Sequence, residues 1–208
     1  MLSELQNAVN VKEKKILEVG AGMGGDSVRL AKLDAKVTAV DYIDEALDAI
    51  DEYAKKQKED VDTVRGDTRE LPFKDETFDI VFHQGLLEHF RDPLAILNEH
   101  VRVLKKGGYL LVDVPQKYTT YTIKKKIAIF RGTWFAGWER AFSIGELEEL
   151  FRQEGLTVVR SYGWGYYGKL HLLRNLKLGT WYEQLWRAIE KSRMKLYLCW
   201  CIGVIGQK

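Results

Sequence analysis

The chain has 208 residues, 46% of them hydrophobic and 30% charged, so it is long enough to bury a core without disulfides or a structural metal. Its formal net charge of +2 excludes a strong overall pull toward nucleic acid or an anionic membrane. The amino-terminal MLSELQNAVNVKEKK lacks the apolar run of a secretory leader, and no stretch approaches the roughly eighteen apolar residues of a spanning helix. Cys199 and Cys201 lie two apart in an apolar stretch, where a strand places both on one face, and a reducing cytoplasm is the expected compartment.

Strand-length apolar runs alternate with helical periodicity, which predicts repeated βαβ units. The expected fold is a doubly wound α/β domain, a mostly parallel seven-stranded sheet with helices on both faces. Strands are predicted at Lys15 to Val19, Lys36 to Val40, Asp62 to Arg65, Phe78 to Phe82 and Tyr109 to Val114. A helix from Gly25 to Leu33 is expected to bury Val28, Leu30, Ala31 and Leu33, and Asp44 to cap a second that turns Ala46, Leu47 and Ile50 inward. Asp92 and Pro93 pair an N-cap with proline at the first helical position, opening a helix through Leu94, Leu97, Val101 and Leu104 that Gly107 and Gly108 are expected to stop.

An aromatic and basic insertion at about 115–142 follows. Ser143 and Glu146 form a capping box for a helix through Leu147, Leu150 and Phe151, ending at Gly155. A strand from Leu156 to Ser161, a helix from Thr180 to about Arg193 and a buried strand from Leu196 to Ile205 complete the prediction. Residues 1–208 are expected to form a single domain.

The sharpest motif runs from Ile16 to Gly25, a strand entering closely spaced glycines and then a helix. Such a loop lets backbone approach a ligand, and Asp41, twenty-one positions after Gly20, can accept the hydroxyls of an adenosine ribose. Gly20, Gly22 and Gly25 also satisfy a dinucleotide fingerprint. Glu18 tilts the choice, because a carboxylate suits a ligand bearing an ammonium and a sulfonium better than one bearing a pyrophosphate.

Over residues 14 to 160 the chain resembles the class I, Rossmann-like S-adenosylmethionine methyltransferases, especially the small-molecule branch related to ubiquinone biosynthesis. The matching pieces are the glycine loop with Asp41, Arg65-Gly66-Asp67, Leu71-Pro72-Phe73 leading to Phe78-Asp79-Ile80-Val81, Leu87-Glu88-His89, and Leu104-Lys105-Lys106-Gly107-Gly108. The resemblance implies S-adenosyl-L-methionine as cofactor and a small-molecule acceptor. It implies that Gly20, Ala21 and Gly22 pass under the methionine portion, Asp41 holds the ribose, Tyr42 flanks the adenine, Asp67 with Thr68 meets the adenine amino edge, and Gln84 contacts the methionyl group; Glu18 completes the set.

Methyl transfer from a sulfonium is an in-line displacement served by alignment, and many acceptors also need a base. The candidates are His89, Glu88 and His83, with Tyr118 from the insertion. For His89 a helix-start role stands beside the catalytic one; His83, facing the sheet, is expected to pack in the core, and His100 to lie at the surface. Lys124 to Lys126 is expected as a solvated face that could also meet an acidic or amphipathic substrate. Trp134, Phe135 and Trp138 make either a substrate lid or a satellite core, and Trp164, Tyr166 and Tyr167 extend that choice. No histidine and carboxylate spacing indicates a metal site. Two other readings stay open: an NAD(P)-dependent oxidoreductase, and a non-catalytic S-adenosylmethionine-binding protein. Oligomeric state is not legible, and no nucleic acid or membrane span is favoured as a partner.

Overall fold

In a computed structural model, which describes residues 1–134, 137–165 and 180–208, the described strands are β1 (Lys15–Val19), β2 (Lys36–Asp41), β3 (Val61–Arg65), β4 (Phe78–Gln84), β5 (Leu104–Pro115), β6 (Thr157–Trp164) and β7 (Cys201–Gln207). They form one seven-stranded sheet in the order β3-β2-β1-β4-β5-β7-β6. β1 to β5 pair in parallel, and β7 runs antiparallel to both neighbours. The described helices are α1 (Leu2–Ala8), α2 (Gly25–Ala31), α3 (Asp44–Gln57), α4 (Pro93–Val103), α5 (Thr120–Phe130), α6 (Ile144–Gln153) and α7 (Thr180–Lys191).

Successive strand residues point to opposite faces, so a sheet covered on both sides needs near-continuous apolar strands. Ile80, Val81 and Phe82 of β4 are fully buried, each contributing roughly 1.5–3 kcal/mol of apolar burial. One core layer joins Leu17, Val81, Leu110 and Val112 to Ile96 and Leu97 of α4 and Leu147 and Phe151 of α6. The other joins Ile16, Ile80, Phe82 and Leu111 to Leu5 of α1, Val28 and Leu30 of α2 and Ile50 of α3. The two strongest helix starts form as predicted: Asp92 accepts from Ala95 N–H at 3.3 Å ahead of Pro93, and Ser143 with Glu146 makes the reciprocal capping box.

Several boundaries differ from the prediction. α2 ends at Ala31, and Leu33 beyond it is exposed. Ile43 is the N-cap of α3 and Asp44 its first residue. α4 ends at Val103 and β5 begins at once, because Leu104 pairs with Phe78; Gly107 and Gly108 bulge within β5 rather than stopping a helix. A Cβ on Gly108 would lie 2.9 Å from the Asp79 carbonyl oxygen, so the close approach of β4 fixes that glycine. Residues Arg193–Leu198 form a short 3-10 turn, and the last strand starts only at Cys201; Cys199 is therefore outside it.

Candidate functional site

The carboxyl ends of β1 to β5 meet at one edge of the sheet, where the chain leaves β1, β2, β4 and β5 toward helices and β3 for the loop that leads to β4. After Val19 the backbone enters the left-handed region at Gly20 (φ +65°) and Gly22 (φ +55°). A Cβ on Gly20 would reach Leu86 Cδ1 at 3.0 Å, whereas the space above Gly22 is open for at least 4 Å. Asp41 ties the loop down: its Oδ2 accepts from Gly22 N–H at 3.0 Å and its Oδ1 from Ile43 N–H at 3.1 Å. Glu18 supports the loop from below, buried and accepting the Ser27 hydroxyl hydrogen. Burial pushes the Glu18 carboxyl up to about 7, with Asp26 and Asp41 adding to the rise and Ser27 opposing it.

Beside this loop lies a cleft of about 230 Å³, walled by Val19, Gly20, Val40, Leu86 and Phe90 and edged by Asp41, Tyr42 and Gly66 to Arg69. Tyr42 is exposed, with the Arg65 guanidinium 5.7 Å from its ring centroid. Asp67 accepts from both the backbone and the guanidinium of Arg69, which holds its carboxyl below the usual carboxylate range. Thr68 Oγ1 lies 3.0 Å from His100 Nε2. The lining fits an adenosine: apolar walls for a flat base, an oriented carboxylate for ribose hydroxyls, and a single lining cation already engaged by Asp67. Of the residues predicted to hold the cofactor, Gly20, Asp41, Tyr42, Asp67 and Thr68 line this one cleft, while Glu18 and Gly22 adjoin it through the loop.

Gln84 is exposed at the end of β4 and lines a neighbouring recess of about 380 Å³ with Met1, Leu2, Ser3, Asp26, Arg29 and Trp164. Behind Trp164 sits Asp113 of β5, which sequence reasoning missed. It is 1% exposed, accepts the Trp164 indole N–H at 2.8 Å through Oδ2, neighbours the buried Tyr162 side chain, and among the described residues leaves Oδ1 without a hydrogen bond. Burial pushes its carboxyl up to about 6. The signal was present: a lone acid in the apolar run from Tyr109 to Val114, two residues before the carboxyl end of β5.

The base candidates separate by environment. Glu88 is buried with Oε2 unpartnered, and burial raises its carboxyl to about 7, with Glu139 and Asp113 contributing. His89, next along the 3-10 turn Leu87–His89, is exposed. His83 is fully buried, as its core reading expects, with both ring nitrogens unpartnered and its ring 5.1 Å from that of His100. His100 is likewise fully buried, contrary to the surface position expected of it, because it falls on the inward stripe of α4 with Ile96, Leu97 and Val103. Tyr118 is exposed and packs beside Tyr197, ring centroids 5.9 Å apart.

The insertion returns to this edge. Arg140 N–H donates to the Glu88 carbonyl at 2.7 Å, and Lys117 N–H to that of Phe142 at 2.8 Å. Lys125 corrects the solvated-face reading: its side chain is buried and pairs with Glu139 Oε2 at 3.1 Å, whereas Lys124 and Lys126 are exposed. Trp134 is half-buried and Trp138 exposed; Phe135, Tyr166 and Tyr167 lie outside the described residues. Among the described residues, no group of three or more His, Cys, Asp or Glu could hold a metal ion, and no helix is long and apolar enough to cross a membrane.

Comparison with known proteins finds methyltransferases. A family model described as a methyltransferase domain matches residues 17–112. The chain is 33% identical over 141 residues to phosphatidylethanolamine N-methyltransferase of Cereibacter sphaeroides, covering 65% of this chain and 68% of that one. It is 32% identical over 109 residues to ubiquinone biosynthesis O-methyltransferase of Coxiella burnetii, covering 52% of this chain and 47% of that one. The crystal structure of a SAM dependent methyltransferase from Aquifex aeolicus shares the fold, with a TM-score of 0.65 at 18% identity over 99% of this chain and 87% of that one. The chain spans 39% to 68% of the length of the curated relatives it matches.

Proposed function

The chain belongs to the class I S-adenosylmethionine-dependent methyltransferases, and from that premise we propose that it methylates a small molecule bound beside Gln84 and Trp164, with Asp113 or Glu88 receiving the acceptor's proton. S-adenosyl-L-methionine is the cofactor. The observation that carries the reading is the pair of buried acids, Glu88 in the turn after β4 and Asp113 near the end of β5, each with one oxygen that makes no hydrogen bond among the described residues and a carboxyl raised toward neutrality by burial.

In this reading Gly20, Ala21 and Gly22 pass beneath the methionyl portion and Asp41 accepts the ribose hydroxyls. Tyr42 flanks the adenine, Asp67 and Thr68 face its amino edge, and Gln84 and Glu18 complete the methionyl side. Bound S-adenosylmethionine supplies an electrophilic methyl on a sulfonium. An acceptor's lone pair would take that methyl in line, with the bonding electrons remaining on sulfur, and the residues named here would hold the two in alignment. Asp113 or Glu88 takes the departing proton while the apolar walls exclude water.

Residues 1–208 act as a single domain in this proposal, with the insertion at 115–142 as a substrate lid; its backbone link from Arg140 to Glu88 supports that assignment. The free thiols of Cys199 and Cys201 are consistent with a cytoplasmic location. Calorimetric titration of the protein with S-adenosylmethionine, followed by an acceptor screen, tests the reading. Saturable binding with turnover of a small acceptor bears it out; saturable binding with no turnover of any acceptor favours a non-catalytic cofactor-binding protein.

A further inference from the structure

The helix α5 is inverted with respect to the rule for surface helices. Its inward side chains include Thr122 and Lys125, while Ile123, Ile127 and Phe130 are 61%, 46% and 92% exposed. These three stand at i, i+4 and i+7, which puts them on one face. The helix is fixed in that orientation by polar bonds. Thr119 and Thr122 both donate to the Gln116 carbonyl, at 3.2 and 3.1 Å, and Lys125 is buried against Glu139. The apolar face is thus held outward by a built polar underside.

Charge makes the face complementary to one kind of surface. From residue 114 to residue 138 the chain has five Lys and Arg residues and no Asp or Glu. Lys117 and Lys125 are neutralised by Glu146 and Glu139, while among the described residues Lys124, Lys126 and Arg131 form no ion pair. An apolar ridge flanked by unpaired cations matches a layer with anionic headgroups over hydrocarbon. The net charge of +2 conceals this local concentration.

We propose that α5 docks on the surface of an anionic phospholipid bilayer, with Ile123, Ile127 and Phe130 entering the apolar boundary and Lys124, Lys126 and Arg131 meeting the lipid phosphates. The helix follows the carboxyl end of β5 after a four-residue connection, and the segment after it returns to Glu88. Docking therefore brings the ligand edge of the sheet to the bilayer. The contact does not depend on what is methylated.

Sedimentation of the full chain with vesicles tests this, using phosphatidylcholine alone and phosphatidylcholine with about a third phosphatidylglycerol. The chain is expected to pellet with the anionic vesicles, less at high salt, and only weakly with the neutral ones. A combined Ile123→Ser, Ile127→Ser and Phe130→Ser variant, and separately Lys124→Glu with Lys126→Glu, are each expected to lower partitioning by about tenfold or more. Their thermal midpoints should stay near that of the unaltered chain, since the side chains changed are exposed. Failure of the unaltered chain to bind anionic vesicles overturns the proposal, as does binding that both variants retain. It is also overturned if the apolar variant loses most of its thermal stability, which would mean the chain itself covers the face. A vesicle-indifferent dimer that the apolar variant converts to monomer would overturn it in favour of a second copy of the chain.

Discussion

The indole N–H of Trp164 donates to Asp113 at 2.8 Å, joining the last residue of β6 to an acid buried in β5 and leaving the second carboxylate oxygen without a hydrogen bond among the described residues. Burial raises this carboxyl from its ordinary 3.8 to about 6, so between those values the folded chain holds a proton that the unfolded chain has released. Stability contributed by that proton is full below about pH 4 and is lost as pH rises through 6. Asp113→Asn should therefore stabilise the protein at pH 8 by roughly 1–3 kcal/mol and by little at pH 4, read by urea unfolding. The same variant should slow methyl transfer and abolish a rise of rate with pH centred near 6. A rise near 6 that persists in Asp113→Asn, and disappears in Glu88→Gln, would move the proton to Glu88.

Asp41 has two structural partners, Gly22 N–H and Ile43 N–H, besides its proposed role toward the ribose. Asp41→Ala removes the charged acceptor from both amides and frees the glycine loop. Bonds to a charged group contribute about 1.5–3 kcal/mol each, so the affinity for S-adenosylmethionine should fall by about ten- to several hundredfold. Calorimetric titration measures it, and unchanged affinity would remove Asp41 from the site.

The buried imidazoles bear on acid stability. His100 is lowered from 6.5 to about 4 by burial, and His83 is lowered well below 6.5 by burial and by His100. The unfolded chain takes up protons near 6.5 that the folded chain refuses, so their contribution to stability is full above about pH 6.5 and is lost as pH falls toward 4. For His100 the loss is on the order of 3 kcal/mol. The raised carboxylates of Glu18, Glu88 and Asp113 act in the opposite sense across much of this window. A difference between variants isolates the imidazole: His100→Gln, which can still meet Thr68, should make the urea midpoint fall less between pH 7 and pH 4.5 than in the unaltered chain. Parallel pH profiles would show that His100 is charged when buried.

The parts of this site legible in sequence are those that local chemistry dictates. The glycines after β1, the acid ending β2 and the caps at Asp92 and Ser143 each serve backbone groups within a few residues or at a strand end, so composition and spacing reveal them. What escaped depends on partners distant in sequence. His100 occupies the buried stripe of α4, but a polar ring at a core-facing position looks like a surface residue in sequence. Gly107 and Gly108 look like a helix stop until β4 pairs with Leu104. Lys125 is indistinguishable from its neighbours until Glu139, fourteen residues on, turns back to meet it.

That pair provides a last prediction, because its two side chains are only 6% and 8% exposed. Removing one partner of a buried pair leaves the other charge desolvated, a change that costs about 3–5 kcal/mol where the surroundings cannot relax. Here the ammonium also lies 5.8 Å from the Trp134 ring centroid and 3.3 Å from the Glu139 carbonyl oxygen, which soften the loss. Glu139→Gln keeps an acceptor and the side-chain volume but not the charge, and should destabilise the segment by about 1–3 kcal/mol. Lys125→Met with Glu139→Leu replaces the pair by apolar groups and should recover most of that stability. Hydrogen exchange over α5 reads the effect locally, with faster exchange in Glu139→Gln and near-normal protection in the double variant. Equal exchange in all three proteins would mean that α5 is held by the Thr119 and Thr122 hydroxyls rather than by the ion pair.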